Sequence, residues 1–236
     1  MSVTYDGYEL SQGIDYTVTY KNNNAPGTAS VTVTGIGNYQ GSKTFKFSIK
    51  LKKPTLGKAV NTSSGITLTW SKVPGAYGYR VYRKAYGKNW TRIKTLNGNS
   101  TLRYTDTSVK NKNGQTFIYT VRAYTKSISG PYDTTGKKIV RLSTPGLYTP
   151  TNKGKQSIAV KWKKCSGASG YQIQYSTSAK FSNAKSVNIS SQKTVSKTIT
   201  KLSKKTYYVR VRSYKKSGKS VFYSGWSTAK KVKVVK

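Results

Sequence analysis

Apolar and polar residues alternate in short bursts along most of this chain. Asp15 to Tyr20 reads D-Y-T-V-T-Y, Ala29 to Thr34 reads A-S-V-T-V-T, Ile66 to Trp70 reads I-T-L-T-W, and Tyr207 to Val211 reads Y-Y-V-R-V. A period of two, built from β-branched and aromatic residues, predicts strands with one buried face. Turn formers punctuate the bursts at Asn22-Asn23-Asn24, Gly35-Ile36-Gly37-Asn38, Asn97-Gly98-Asn99 and Asn113-Gly114. No long segment carries a helical period. The glycines from Gly35 to Gly41 have the wrong spacing for a nucleotide-binding loop and no helix to open, so a hairpin is predicted there.

The bursts also repeat. Ile66, Leu68, Trp70, Gly78, Tyr79 and Val81 recur about 92 residues later as Ile158, Val160, Trp162, Gly170, Tyr171 and Ile173. Thr116, Phe117, Val121, Arg122 and Tyr124 recur as Thr206, Tyr207, Val211, Arg212 and Tyr214, two residues closer. An offset of domain size implies two copies of one independently folding module. About seven short strands in about 90 residues predict an antiparallel β-sandwich, large enough for one core without a metal or a disulfide. Prolines suggest the boundaries. Lys50-Leu51-Lys52-Lys53-Pro54 and the stretch Arg141 to Pro150 divide the chain into residues 1–51, 52–144 and 145–236. Pro145 and Pro150 favour extended backbone, so a short, stiff linker and a linear array are expected. The fold class expected is all-β, with Ig-like or fibronectin-like sandwiches in series.

Charge changes the picture. The 236 residues hold 43 basic and 5 acidic side chains and no histidine, a formal net charge of +38. Four lysines against three acids leave residues 1–51 at +1, while residues 52–144 reach +16. Residues 145–236 carry nineteen lysines, two arginines and no acid, hence +21. A unit without carboxylates cannot neutralise itself; it repels its own copies and attracts polyanions. The absent histidine excludes histidine triads and histidine metal ligands, and five dispersed acids leave little for paired-carboxylate hydrolysis. Lone Cys165 cannot form an internal disulfide or a cysteine-rich zinc site, and it occupies the repeat position of Val73, which predicts a small buried apolar role. No metal, cofactor or catalytic residue is expected. No apolar run approaches the ~20 residues that span a bilayer. Met1-Ser2 opens directly into a strand-like segment with no apolar signal region, so the chain reads as an excised fragment.

Residues 54–236 resemble two fibronectin type III modules of the kind strung along surface and secreted proteins of Gram-positive bacteria. The resemblance rests on I-T-L-T-W-S-K-V-P-G-A-Y-G-Y-R-V-Y-R (66–83) and I-A-V-K-W-K-K-C-S-G-A-S-G-Y-Q-I-Q-Y (158–175), then R-Y-T-D-T (103–107), T-F-I-Y-T-V-R-A-Y (116–124) and L-S-K-K-T-Y-Y-V-R-V-R-S-Y (202–214). It implies a tyrosine corner at Tyr207, whose hydroxyl bonds back to nearby backbone. Phe117 holds that position in the earlier copy and cannot make the bond. Residues 1–51 resemble the end of a small bacterial Ig-like repeat through D-Y-T-V-T-Y-K-N-N-N-A-P-G-T-A-S-V-T-V-T-G-I-G-N-Y-Q-G (15–41). Such repeats have further strands before this point, which implies a partial unit with an edge at risk of being unpaired.

Tyr223-Ser224-Gly225-Trp226-Ser227 is similar to the W-S-x-W-S box of cytokine-receptor fibronectin modules. Alternation along Tyr207–Tyr214 sends Tyr207, Val209 and Val211 inward and Tyr208, Arg210, Arg212 and Tyr214 outward. Trp226 on the neighbouring strand then falls between Arg210 and Arg212, forming a stabilising cation–π ladder or, alternatively, a ligand platform. The earlier copy has Arg122 but Gly130-Pro131-Tyr132 where the box would fall, which predicts a weaker ladder. Tyr86 and Trp90 are candidate exposed aromatics, for packing over the sheet or for a sugar or protein ligand. Asp106 is expected to fix a turn.

Candidate polyanion-binding lysines are Lys161, Lys163 and Lys164; Lys201, Lys204 and Lys205; Lys215, Lys216 and Lys219; and Lys230, Lys231 and Lys233. Thirty-five lysines against eight arginines favour loose, salt-sensitive attraction over specific nucleic-acid readout. The expected function is a monomeric, non-catalytic spacer and interaction segment of a secreted or cell-surface bacterial protein, held to anionic wall polymer such as teichoic acid. The alternatives are an adhesin module for a host surface protein, an immunoglobulin or matrix component, and an accessory region of a secreted hydrolase.

Overall fold

The computed structural model describes residues 2–235. The expectation attached to Met1 lies outside the described residues, as does Lys236. All regular structure among the described residues is β, as the alternation predicts.

The first 51 residues form a small hairpin, β1 (Thr4–Tyr5) with β2 (Tyr8–Glu9), and an antiparallel sheet of β3 (Tyr16–Lys21), β4 (Gly27–Gly35) and β5 (Ser42–Ile49), with β4 central. Register sorts its side chains by face. Val31 lies opposite Tyr20 and Phe45, and Ala29 opposite Phe47, so these share one apolar face with Val18 and Val33. Thr17, Thr19, Thr32, Thr34 and Thr44 line the other. Among the described residues the apolar face is only partly covered: Val3 and Thr4 lie beside Val31 and Val33, and Ala29 and Val31 are buried. Tyr20 remains 56% exposed, Phe45 48% and Phe47 38%. The hairpin predicted at Gly35–Gly41 joins β4 to β5, closed by the Gly35 N–H on the Gly41 carbonyl at 3.0 Å.

Next comes a sandwich of three strands on four. The first sheet joins β6 (Val60–Asn61) and β7 (Ile66–Thr69); the second holds β8 (Gly78–Ala85) and β9 (Thr91–Asn97). β10 (Arg103–Asp106) returns to the first, and β11 (Thr116–Tyr124) and β12 (Lys137–Val140) complete the second. The plan then repeats. β13 (Thr151–Gly154), β14 (Ser157–Lys161) and β17 (Ser196–Ile199) make the three-stranded sheet. β15 (Gly170–Ser176) and β16 (Lys185–Ile189) precede β17, and β18 (Thr206–Ser217), β19 (Ser220–Tyr223) and β20 (Lys230–Lys233) finish the larger sheet.

The repeated residues do repeated work in two cores. Trp70 meets Tyr79 at 5.6 Å between ring centroids, and Trp162 meets Tyr171 at 5.3 Å. The Tyr79 hydroxyl accepts the Val73 N–H, and the Tyr171 hydroxyl accepts the Cys165 N–H, both at 2.9 Å. Gly78 and Gly170 are forced: a Cβ there would stand 2.2 Å from the Leu96 carbonyl oxygen and 2.0 Å from that of Ile189. Cys165 is buried, and burial pushes its thiol above the usual range.

The chain does not break cleanly where its prolines suggest. Leu51 packs into the core that holds Trp70 and Tyr79, while Val140 and Leu142 pack into the core that holds Trp162. Arg141, between them, is 1% exposed. With no acid to pair, its guanidinium donates to the carbonyls of Lys110 (3.1 Å), Thr62 (2.8 Å), Gly65 (3.0 Å) and Leu142 (3.2 Å) and to Asn61 Oδ1 (3.3 Å). Asn61 in turn donates to the Val140 carbonyl at 2.9 Å and the Tyr223 carbonyl at 3.0 Å. Phe222 in β19 touches both cores. The β18–β19 hairpin therefore works as a strap from the last sandwich onto the one before it.

Candidate functional site

The outer face of the larger sheet in the last sandwich is built from β15 and β18. Antiparallel register sets Gln172 opposite Arg212 and Gln174 opposite Arg210. Gln174 Oε1 accepts from Arg210 Nε at 2.8 Å, and Gln172 Oε1 from Arg212 Nε at 2.9 Å, which holds both guanidinium planes upright. The Trp226 ring lies between them, its centroid 4.5 Å from the Arg210 guanidinium carbon and 4.3 Å from that of Arg212. Phe181 closes the stack over Arg210 at 3.9 Å, and Tyr223 closes it over Arg212 at 3.7 Å. This five-layer stack of aromatic rings and arginines shields both cations. Burial pulls both guanidinium groups below their ordinary values.

Trp226 is not on a strand. β19 ends at Tyr223 and β20 begins at Lys230, and two serines bridge the gap. Ser224 and Ser227 donate their N–H groups to the Ser213 and Val211 carbonyls (2.9 and 2.8 Å). Their hydroxyls accept the Ser213 and Val211 N–H groups, each at 3.0 Å. The serine hydroxyls thus replace the carbonyls a regular strand would offer, and this geometry aims Trp226 at the arginines. Tyr214 departs from the simple inward-outward expectation. It is only 6% exposed, because Tyr223 packs on its ring and its hydroxyl reaches the Ile189 carbonyl at 3.3 Å. Alternation gives the face of a residue but not what later covers that face.

The earlier sandwich has a stack of different composition. Lys84 lies over Trp90 at 4.7 Å, Trp90 meets Tyr132 edge-on at 6.4 Å, and Arg122 lies 5.7 Å from the Tyr132 ring. Trp90 is thus half-buried on the sheet. Tyr86 is 72% exposed, with only Lys138 over it at 5.3 Å, so the two aromatics form no shared patch.

Tyr207 is buried at the start of β18, and its hydroxyl accepts the Ser203 N–H at 3.2 Å. In the equivalent place Phe117 packs in the core, and the polar work moves to Tyr119, whose hydroxyl donates to Asp106 at 2.9 Å. Asp106 also binds Arg83 at 2.7 Å and caps the turn through the Ser108 N–H at 3.1 Å and hydroxyl at 2.7 Å. It is the one ion pair among the described residues. Burial first, then the Asp106 charge, raise the Tyr119 phenol far above its ordinary range.

The candidate lysines do not converge. Lys163, Lys164, Lys215, Lys216 and Lys219 lie toward the end where the Lys216 N–H donates to the Ser169 hydroxyl at 3.1 Å. Lys201, Lys204, Lys205 and Lys233 lie at the opposite end, where the Leu202 N–H meets the Gln156 carbonyl and the Val234 N–H meets the Lys205 carbonyl, both at 3.0 Å. Lys161 closes β14, and Lys230 and Lys231 run along β20. All are exposed except Lys215 and Lys230, which are partly covered. No cluster of metal-ligating side chains occurs among the described residues, and no helix there is long and apolar enough to cross a membrane.

Neither a family model nor a curated protein matches the chain. Among solved structures, the FN1–FN3 domains of chicken CNTN1 align with 88% of this chain and 78% of that one, at 20% identity and a TM-score of 0.38. The sandwich assignment rests on the chain's own strand order.

Proposed function

We propose that this chain is a non-catalytic spacer and interaction segment of a secreted or cell-surface bacterial protein, and that it holds to anionic wall polymer through its last sandwich. In this reading the working units are residues 1–51, 52–144 and 145–236. One observation carries it: residues 145–236 bear a net charge of +21 with no carboxylate, and nearly all the candidate lysines there are solvent-exposed. Hydrated lysine ammonium groups attract phosphate backbones without reading a sequence, and here they are spread over strands and loops toward both ends of the unit. Teichoic acid is the polymer this favours. The test is retention of the whole chain on purified Gram-positive walls before and after teichoic acid is stripped. Retention should depend on the polymer; equal retention on stripped walls would rule the reading out.

A second reading has a separate observation behind it. The open sheet of the first unit presents Tyr20, Phe45 and Phe47 to solvent beside Val18 and Val33, in the part of the chain with a net charge of only +1. An aromatic and apolar face with one lysine, Lys43 over the Phe45 ring at 5.4 Å, suits a protein partner, such as a host surface protein, better than a polyanion. Its signature is binding that survives high salt.

A further inference from the structure

A cleft of about 310 Å³ opens at one end of the last sandwich, away from the strap. One wall is the end of β15 and the connection that leads to β16; the other is the loop Lys201–Ser203 that leads into β18. Tyr175 and Tyr207 form its floor, with ring centroids 6.2 Å apart and planes tilted by 55°. Lys185 lies opposite Tyr175 in the β15–β16 register, so the ammonium and the phenol share one face. Lys201 stands across the opening, and Ser182 and Ser203 add hydroxyls at the rim.

Local geometry holds this opening in shape. Ser176 donates its hydroxyl to the Ser182 carbonyl at 2.8 Å and accepts the Ser178 N–H at 3.1 Å, which pins the connection. Asn183 and Lys201 both adopt left-handed backbone, at φ of 51° and 58°. Non-glycine residues seldom take that conformation without a reason in the surrounding structure. The donors are free. The Tyr207 hydroxyl accepts from Ser203, which leaves its own hydrogen to give. Burial keeps the Tyr175 phenol protonated to higher pH than usual, so it too is a donor in neutral solution.

We propose that this cleft is a binding subsite for one phosphodiester of a polyol-phosphate chain, with Lys185 and Lys201 flanking the anion, Tyr175 and Tyr207 donating to its free oxygens, and the two rings covering the adjoining carbons. Two lysine point charges and no arginine suit a phosphate held by its charge rather than by a bidentate fork. No carboxylate in residues 145–236 opposes the anion. The subsite rests on the wall-polymer reading above and gives it one address among the exposed lysines.

The experiment titrates the whole chain with polyglycerol phosphate of defined length, by calorimetry and by amide chemical shifts. Lys185→Gln with Lys201→Gln is compared with Lys161→Gln with Lys163→Gln, which removes the same charge elsewhere. All four lysines are exposed, so both double variants keep the fold, checked by their urea midpoints. The cleft pair should weaken binding by about tenfold and the control pair by about twofold, as expected for a local contact set against diffuse attraction. Tyr175→Phe should weaken it by about threefold, consistent with one lost hydrogen bond, and shifts should centre on residues 175–185 and 201–207. Equal losses from the two pairs would overturn the subsite while leaving diffuse polymer binding intact. Tighter binding of a sulfated glycan than of polyglycerol phosphate would overturn the ligand class. No binding by the unaltered chain would overturn the wall-polymer reading itself.

Discussion

Replacing Arg141 with methionine removes the buried cation that joins the last two sandwiches. The guanidinium donates to four carbonyls and to Asn61 Oδ1, and no carboxylate shares the site. After the change Gly65 keeps the Thr62 N–H at 2.9 Å, and Asn61 Oδ1 keeps the Leu142 N–H at 3.0 Å, so neither acceptor is orphaned. The Leu142 carbonyl loses this donor in a buried site, and those of Thr62 and Lys110 lose it in partly buried ones that water can reach. At about 1 kcal/mol for the buried acceptor and about half that for each partly buried one, the loss is about 2 kcal/mol. Relief of the cation's desolvation offsets part of that, since burial already pulls the Arg141 guanidinium below its ordinary value. The expected net loss is therefore about 1–2 kcal/mol. Urea unfolding, read by hydrogen exchange of the β6–β7 and β11–β12 amides, should register it in the middle sandwich. Exchange at Phe222 and Tyr223 should also quicken, because Asn61 orients the strap. A loss below about 0.5 kcal/mol would refute the reasoning, because surface substitutions stay within that range.

Three further outcomes follow from the same structure. Trp226→Ala should cost the last sandwich about 2 kcal/mol, from two cation–π contacts of about 0.5–1 kcal/mol each plus lost ring burial; an unchanged urea midpoint would show that the stack is ornamental to stability. Tyr207→Phe leaves the ring and strips the acceptor of the Ser203 N–H, so about 1 kcal/mol should be lost; the packing of Phe117 in the equivalent place implies that the fold survives. Tyr119 has a folded pKa raised by burial, so its contribution is complete below about pH 10, where an unfolded phenol begins to ionise, and declines above that by up to about 1.4 kcal/mol per pH unit. Tyr119→Phe should flatten the fall in urea midpoint between about pH 10 and 11, and equal slopes in the two proteins would sink this assignment.

Repetition made the cores easy to read. Trp70 and Trp162, Tyr79 and Tyr171, and Gly78 and Gly170 recur at one spacing because each sandwich needs the same ring pair and the same close backbone approach. Period-two alternation also suffices to set Arg210 and Arg212 on one face of β18, where the Trp226 ring lies between them. The alternating Gln172 and Gln174 carried a signal for their role, since register alone sets them opposite the arginines. Phe181 carried none, because it reaches the stack from a connection whose path depends on tertiary packing. Arg141 was equally silent. An arginine in a proline-bordered linker looks solvated, and only the folded chain gathers enough carbonyls around it to make burial tolerable. For the same reason the sequence suggested a simple stiff linker, where the structure has residues on either side of Arg141 buried in the last core. The sequence lists the lysine clusters without their places in space; the fold sends most of them toward two ends of the sandwich and sets Lys185 and Lys201 at one cleft.

The most direct measurement is the affinity of the whole chain for teichoic-acid-bearing wall as a function of salt. Lysine–phosphate attraction releases counterions, so the logarithm of the binding constant should fall linearly with the logarithm of salt concentration, by about 0.7–0.9 for each phosphate contacted if the polymer behaves as other phosphate chains do. A slope steeper than about −3 would match several lysines acting together on such a polymer. A flat dependence would contradict electrostatic attachment and direct attention to the aromatic face of Tyr20, Phe45 and Phe47.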